Sequence, residues 1–135
     1  MMTAAMEGAM AFQKGLGAVH SLSHALGALP GRTLHHGTLN AILMPAVMRA
    51  NEASIGPKKM ARLRRALGLA EAADVPAWFA AFNQRLGIPG GLAALGVQPT
   101  EFEGVAQQAM HDHCHPTNPR ALEVPDYIAL LREAL

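Results

Sequence analysis

The sequence predicts an all-α protein, and three observations lead to this fold class. Alanine occurs 26 times, against 15 valine, isoleucine and threonine residues together, and alanine favours helix more than any other residue. No stretch alternates apolar and polar residues between hairpin turns, as a half-buried strand does. Glycines and prolines fall where helix ends and first turns belong. We therefore expect residues 1–135 to form a single helical domain, a bundle whose chemistry lies on helix ends and loops.

The apolar periodicity predicts seven helices separated by short loops. Gly68 stands where a helix should end, and Pro57 falls within a first turn, the usual places for these residues. Thr100 followed by Glu103 predicts a capping box at the start of the sixth helix. The predicted helices cover residues 2–13, 17–27, 37–50, 57–67, 74–86, 100–110 and 125–134.

The composition predicts a surface that is partly hidden against something else. Charged residues make up 16% of the chain and hydrophobic residues 50%, whereas a globular domain has about 25% charged residues. Met2, Met6 and Met10 recur at helical spacing, which indicates packing in the core or against a partner. We therefore expect either a homo-oligomer or a further domain to cover part of this surface.

Other partners and compartments are disfavoured. The basic run at residues 58–65 has no interleaved aromatic residue and the formal net charge is only +1, so nucleic-acid binding is not expected. The longest apolar run, residues 41–48, is too short to cross a membrane. A single cysteine, Cys114, forms no internal disulfide, and together with the lack of a basic leader this predicts a cytoplasmic protein.

Histidine placement carries most of the chemical information. His20 and His24 stand four residues apart on one predicted helix and so share a face, which is the spacing of a metal-ligand pair. The same spacing also suits two partly buried, hydrogen-bonded imidazoles. No glutamate lies between them, which excludes the zinc protease pattern. His35 and His36 open the next helix, either as an exposed first turn or with one of them completing a site.

The loop from His111 to His115 contains three histidines, one aspartate and Cys114. By composition it resembles a small metal-binding loop. The alternative is a helix C-terminus at which imidazoles bind the last carbonyl groups.

The segment GLGAVH at residues 15–20 is disfavoured as a dinucleotide loop because no strand precedes it. We interpret it as a helix break with close packing.

Four segments together resemble the iron-containing alcohol dehydrogenase family. They read AFQKGLGAVHSLSHALGA, HHGTLNAILMPAVMRAN, LGIPGGLAALGV and CHPTNPR, and their order and spacing match over nearly the whole chain. The resemblance is to the C-terminal helical part of that family, the dehydroquinate synthase-like fold. Complete members begin with an α/β nucleotide-binding domain, which we expect to be absent from this chain.

The resemblance implies the roles of four residues. The family holds one divalent metal, Fe²⁺ or Zn²⁺, with an aspartate and three histidines, and uses NAD(P) to exchange a hydride with a small alcohol or aldehyde. His20 and His36 match two of the metal ligands. His24 matches a histidine beside the metal whose implied catalytic role is hydrogen bonding near substrate and nicotinamide. Cys114 matches a loop near the nicotinamide cofactor, which argues against the metal-loop interpretation of His111, His113 and His115.

Three departures from the family pattern limit what we expect of this chain alone. The loop Leu29 to Leu34 is about two residues longer than the family spacing, Ala25 replaces a frequent proline, and the remaining aspartate and histidine ligands have no counterpart here. We therefore expect an incomplete metal site and a piece of an alcohol dehydrogenase that is inactive by itself. The alternative is a stand-alone helical interaction or self-association module without catalysis.

Overall fold

The computed structural model describes residues 2–135, and in that range it consists of helices and loops without strands. The short 3₁₀ helices cover Leu92–Leu95, Pro99–Glu101 and His115–Thr117. The predicted all-α fold is confirmed. Within the described range, no helix combines the length and apolar character needed to cross a membrane. The α-helices are α1 (Met2–Phe12), α2 (Gly17–Gly27), α3 (His36–Ile55), α4 (Pro57–Ala66), α5 (Val75–Arg85), α6 (Phe102–Met110) and α7 (Val124–Glu133).

Helix α2 is the central element of the bundle. It packs against both α3 and α6, while α3 also contacts α5 and α7. Ala18, Leu22 and Leu26 of α2 are completely buried, and burial of each leucine side chain contributes about 1.5–3 kcal/mol. The helix that carries His20 and His24 is therefore held firmly by its opposite face.

Helix α3 runs five residues beyond the predicted end at residue 50. It reaches Ile55 and stops at Gly56, whose φ of 80° is favourable only for glycine. Pro45 lies inside this helix and has no N–H to donate to the carbonyl of Ala41. The side-chain amide of Asn83 on α5 donates to that carbonyl instead, at 2.6 Å. A partner from another helix thus satisfies the group that proline leaves free.

The predicted capping box at Thr100 and Glu103 is wrong by two residues. The backbone N–H of Gln98 donates to the Glu101 carboxylate at 2.8 Å, and the box formed by these two residues opens the 3₁₀ turn that leads into α6. Pro99 explains the shift, because its fixed φ and missing N–H suit the first position of a helical turn.

Helix α1 has no buried residue. Met2, Met6 and Met10 are 89%, 59% and 64% exposed. The expectation that these methionines pack in the core of this chain is therefore wrong, whereas their packing against a partner stays a prediction.

Candidate metal centre

A tight turn and a polar loop fix the start of α2. The backbone N–H groups of Gly17 and Ala18 donate to Thr117 Oγ1 at 3.3 Å and to Asn118 Oδ1 at 3.2 Å. Gly17 has a φ of 65°, and a Cβ atom at this position would lie 2.9 Å from Asn118 Oδ1. The close packing expected for the GLGAVH segment is present, and it joins the TNPR loop to the helix that carries His20.

Three imidazoles meet where α2 crosses the start of α3. The ring centroids of His20 and His36 are 5.1 Å apart, and that of His24 lies 5.8 Å from His20 and 5.3 Å from His36. The longer loop between α2 and α3 does not separate them. Arg32 in this loop is bound to Glu101 through an ion pair of 2.5 Å, which holds the connection against the bundle.

The Ser23 hydroxyl contacts the Nδ1 side of the His36 ring. The buried hydroxyl donates to the carbonyl of His20 at 3.1 Å and lies 3.2 Å from His36 Nδ1. A hydroxyl has one proton, and a carbonyl only accepts. When the hydroxyl donates to this carbonyl, it accepts from the Nδ1–H of His36, and Nε2 keeps its lone pair in the neutral ring. This is the form in which an imidazole binds a metal.

The amide of Asn40 faces two imidazole nitrogens. Its Nδ2 lies 3.0 Å from His36 Nε2 and 3.4 Å from His20 Nε2. Its Oδ1 is buried and has no hydrogen-bond partner among residues 2–135. The two Nε2 atoms thus face one amide N–H₂ group, and neutral imidazole nitrogens of this kind are ligands that Fe²⁺ and Zn²⁺ accept. The residues present therefore fit the metal that the resemblance implies.

Burial and neighbouring charges keep His20 in the neutral form. Burial is the main cause that lowers the pKa of His20, and repulsion from His36 and His24 lowers it further, although the carboxylate of Asp112 opposes the shift. A neutral imidazole is available as a metal ligand, whereas the charged form is not.

His24 is oriented by a carboxylate from the loop after α6. Its Nδ1 donates to Asp112 Oδ2 at 2.9 Å. Burial opposes ionisation of Asp112, but hydrogen bonds from the Cys114 amide and from His24 outweigh it and lower the pKa of the carboxyl group. With Nδ1 held by Asp112, the Nε2 atom of the neutral His24 ring is an acceptor.

The same loop brings Cys114 and His113 next to His24. The ring of His113 stacks on that of His24 with centroids 5.6 Å apart, and Cys114 Sγ lies 3.4 Å from His113 Nε2. Burial, followed by the nearby Asp112, raises the pKa of the Cys114 thiol to about 11. His111 instead donates to the carbonyl of Gln107 at 2.8 Å, so one imidazole of this loop does bind a helix-end carbonyl.

Several contributors were not singled out from the sequence. No sequence pattern marks Ser23, Asn40 or Asn51, and Asp112 is marked only as a member of its loop. Asn40 lies four residues after His36 on α3, so helical spacing alone could have linked the two.

Comparison with known proteins identifies the class of protein to which this fold and site belong. The sequence model of one protein family, described as "Fe-containing alcohol dehydrogenase family, C-terminal", matches residues 1–135. The chain belongs to this family and corresponds to its C-terminal part.

Individual relatives agree with this assignment. The chain is 50% identical over 141 residues to 4-hydroxybutyrate dehydrogenase of Cupriavidus necator, covering 100% of this chain and 37% of the relative. It is 37% identical over 129 residues to lactaldehyde reductase of Escherichia coli strain K12, covering 89% of this chain and 33% of the relative. The solved structure of a 1,3-propanediol oxidoreductase superposes with a TM-score of 0.80 at 33% identity, covering 89% of this chain and 33% of that structure. The chain thus spans about a third of the length of the relatives it matches.

Proposed function

We propose that this chain supplies the helical half of the catalytic site of an NAD(P)-dependent alcohol dehydrogenase, with His20 and His36 as two of its metal ligands. The observation that carries the proposal is the convergence of both Nε2 atoms on the Asn40 amide, at 3.4 Å and 3.0 Å. The bound metal would polarise the oxygen of the alcohol or aldehyde during hydride exchange with the nicotinamide. Either Fe²⁺ or Zn²⁺ suits the imidazole donors.

His24 is the chain's own candidate for contact with the reacting oxygen. Asp112 holds its ring from the Nδ1 side, which leaves Nε2 to exchange a hydrogen bond with a substrate hydroxyl. A charge on this imidazole would be stabilised by the adjacent carboxylate, so the pair can accept and return a proton. Cys114 lies in the same loop and is proposed to line the nicotinamide side of the site.

A cleft of about 670 Å³ opens beside His20. Apolar side chains line it in part, including Phe12 of α1 and Met44 of α3, while His20 and Asn51 provide polar groups. His24 and His36 are not among its lining residues, so the cleft reaches the site at His20, where it suits a small molecule with one polar end, such as a small alcohol or aldehyde.

The nicotinamide cofactor requires more structure than these helices provide. No strand occurs in residues 2–135, whereas dinucleotide binding uses a strand, a glycine-rich turn and a helix in that order. We propose that a nucleotide-binding domain or a second copy of the chain covers the exposed face of α1, and that the 135-residue chain is inactive alone.

The metal half-site can be tested by titrating Zn²⁺ into ¹⁵N-labelled chain and following the imidazole nitrogens by long-range ¹H–¹⁵N spectra. We expect the Nε2 resonances of His20 and His36 to move together, and binding to weaken below about pH 6 as the rings protonate. His20→Ala should remove the shift at His36, and the reverse variant should remove it at His20. His111→Ala, on an exposed loop outside the cluster, is the matched control.

The Ser23→Ala variant tests, by the same titration, the contribution of the His36 tautomer to Zn²⁺ binding. Without the hydroxyl that accepts from Nδ1–H, the ring of His36 should populate both neutral tautomers and bind Zn²⁺ more weakly. The ligand assignment is wrong if saturating Zn²⁺ leaves both Nε2 resonances unshifted, whatever happens at other histidines.

A further inference from the structure

A second group of potential ligands lies beside the three imidazoles, on the other side of His24. It consists of His24 from α2 and Asp112, His113 and Cys114 from the loop after α6. Each of the four side chains offers one ligand atom, and these atoms all lie within 4.8 Å of one another. His20 and His36 are not members of this group.

We propose that His24, Asp112, His113 and Cys114 form a second cation site that binds Zn²⁺ or a similarly thiophilic divalent metal. Two imidazoles, one carboxylate and one thiolate match the number and type of ligands found at tetrahedral zinc. The carboxylate and the thiolate together balance the charge of a divalent cation. This site does not depend on the assignment of His20 and His36.

The distances require only a small closure around the ion. Zinc bonds of 2.0–2.3 Å in a tetrahedron place ligand atoms about 3.3–3.8 Å apart. His24 Nδ1 and Asp112 Oδ2 are 2.9 Å apart. With one ligand atom taken from each residue, all four atoms lie within 4.8 Å of one another. A bound cation would therefore draw the most widely separated ligand atoms together by up to about 1 Å.

Exposure and supporting contacts also suit a metal site. The His113 side chain is 80% exposed, whereas that of Asp112 is 14% exposed, so a cation has an approach from solvent and His113 has room to move onto it. The second oxygen of Asp112 accepts from the backbone N–H of Cys114 at 2.8 Å, which orients the carboxylate.

Binding has a defined chemical balance. The Cys114 thiol releases its proton to solvent as the metal–sulfur bond forms. When the metal binds His24 through Nδ1, the proton on that nitrogen moves to Nε2 of the neutral ring. If His24 serves the reaction as proposed above, a cation at Nδ1 leaves Nε2 protonated and unable to accept a proton from the substrate, which inhibits hydride exchange. That consequence alone rests on the proposed function.

The test is a Co²⁺ titration of the 135-residue chain under anaerobic, reducing conditions, because a cobalt–thiolate bond produces a near-ultraviolet charge-transfer absorption that a histidine-only site lacks. We expect this absorption to saturate with Co²⁺ and to disappear when Zn²⁺ is added. Cys114→Ser should abolish it. His113→Ala should weaken Co²⁺ binding at least as much as the roughly 10–100-fold loss seen when a supporting partner of a metal ligand is removed.

Two further variants separate this site from the first. His20→Ala should retain the absorption, because His20 is outside the group, and His111→Ala is the matched loop control. His113 is exposed, so its loss should leave the fold intact, which circular dichroism verifies. The proposal is overturned if saturating Co²⁺ gives no charge-transfer absorption, or if the absorption is unchanged in His113→Ala.

Discussion

The side chains of Asn51 and Asn118 form a reciprocal amide pair that joins α3 to the TNPR loop. Each amide nitrogen donates to the other residue's oxygen at 2.9 Å. Asn118 Oδ1 also accepts from the N–H of Ala18 at 3.2 Å, and its Nδ2 donates to the carbonyl of Arg120 at 2.7 Å. Replacing Asn118 by alanine therefore removes four hydrogen bonds at the junction of α2, α3 and the loop that carries Cys114.

The expected loss of stability follows from what is left unpaired. Asn51 is only 5% exposed, so Asn118→Ala leaves both its amide nitrogen and its oxygen without protein partners. Each buried polar group left unsatisfied costs about 1–3 kcal/mol. Water reaching the partly exposed loop recovers a share of this, so we expect Asn118→Ala to lower the free energy of unfolding by about 2–4 kcal/mol.

Urea denaturation followed by circular dichroism measures this change. The comparison includes Asn51→Ala and the double variant, because each single substitution leaves the amide of the other asparagine unpaired. The double variant should cost clearly less than the sum of the two singles. Gln107→Ala is a suitable control, since the Gln107 side chain makes one exposed hydrogen bond, to Glu103. This substitution should change the free energy of unfolding by less than about 0.5 kcal/mol. A similarly small change for Asn118→Ala, or strict additivity in the cycle, would refute the reasoning.

Two other predictions concern the thiol and the nucleotide. Cys114 has a pKa of about 11 in place of 9.0, so about 0.1% of it is thiolate at pH 8 instead of about 9%. Iodoacetamide should therefore alkylate the folded chain roughly 100-fold more slowly than the urea-unfolded chain. The rate for the folded chain should rise with pH. Equal rates in the two states would contradict the protected thiol. Calorimetry should detect no saturable NAD binding to the 135-residue chain, because its described residues contain no strand to begin a dinucleotide unit; micromolar binding would show that another feature of the chain holds the nucleotide.

Local periodicity made the fold class and the histidine face of α2 predictable from the sequence. Helical structure depends on contacts three and four residues apart, so the alanine content and the placement of glycines and prolines indicate where helices lie. The same spacing puts His20 and His24 on one face. The order of the four motifs also identified the family correctly. Even here, local signals placed the capping box two residues late, because Pro99 rather than Thr100 begins the turn.

Only the tertiary structure decided which distant groups complete the site. Asp112 bonds to His24 across 88 residues of chain, and Asn51 pairs with Asn118 across 67. The tautomer of His36 depends on the Ser23 hydroxyl of a neighbouring helix. Such contacts follow from how α2, α3 and α6 pack. Helix packing depends on complementary side-chain surfaces, which the apolar periodicity of a single helix does not specify. The sequence by itself therefore determined the helices and the family, whereas packing determined the proton positions and polar partners around the imidazoles.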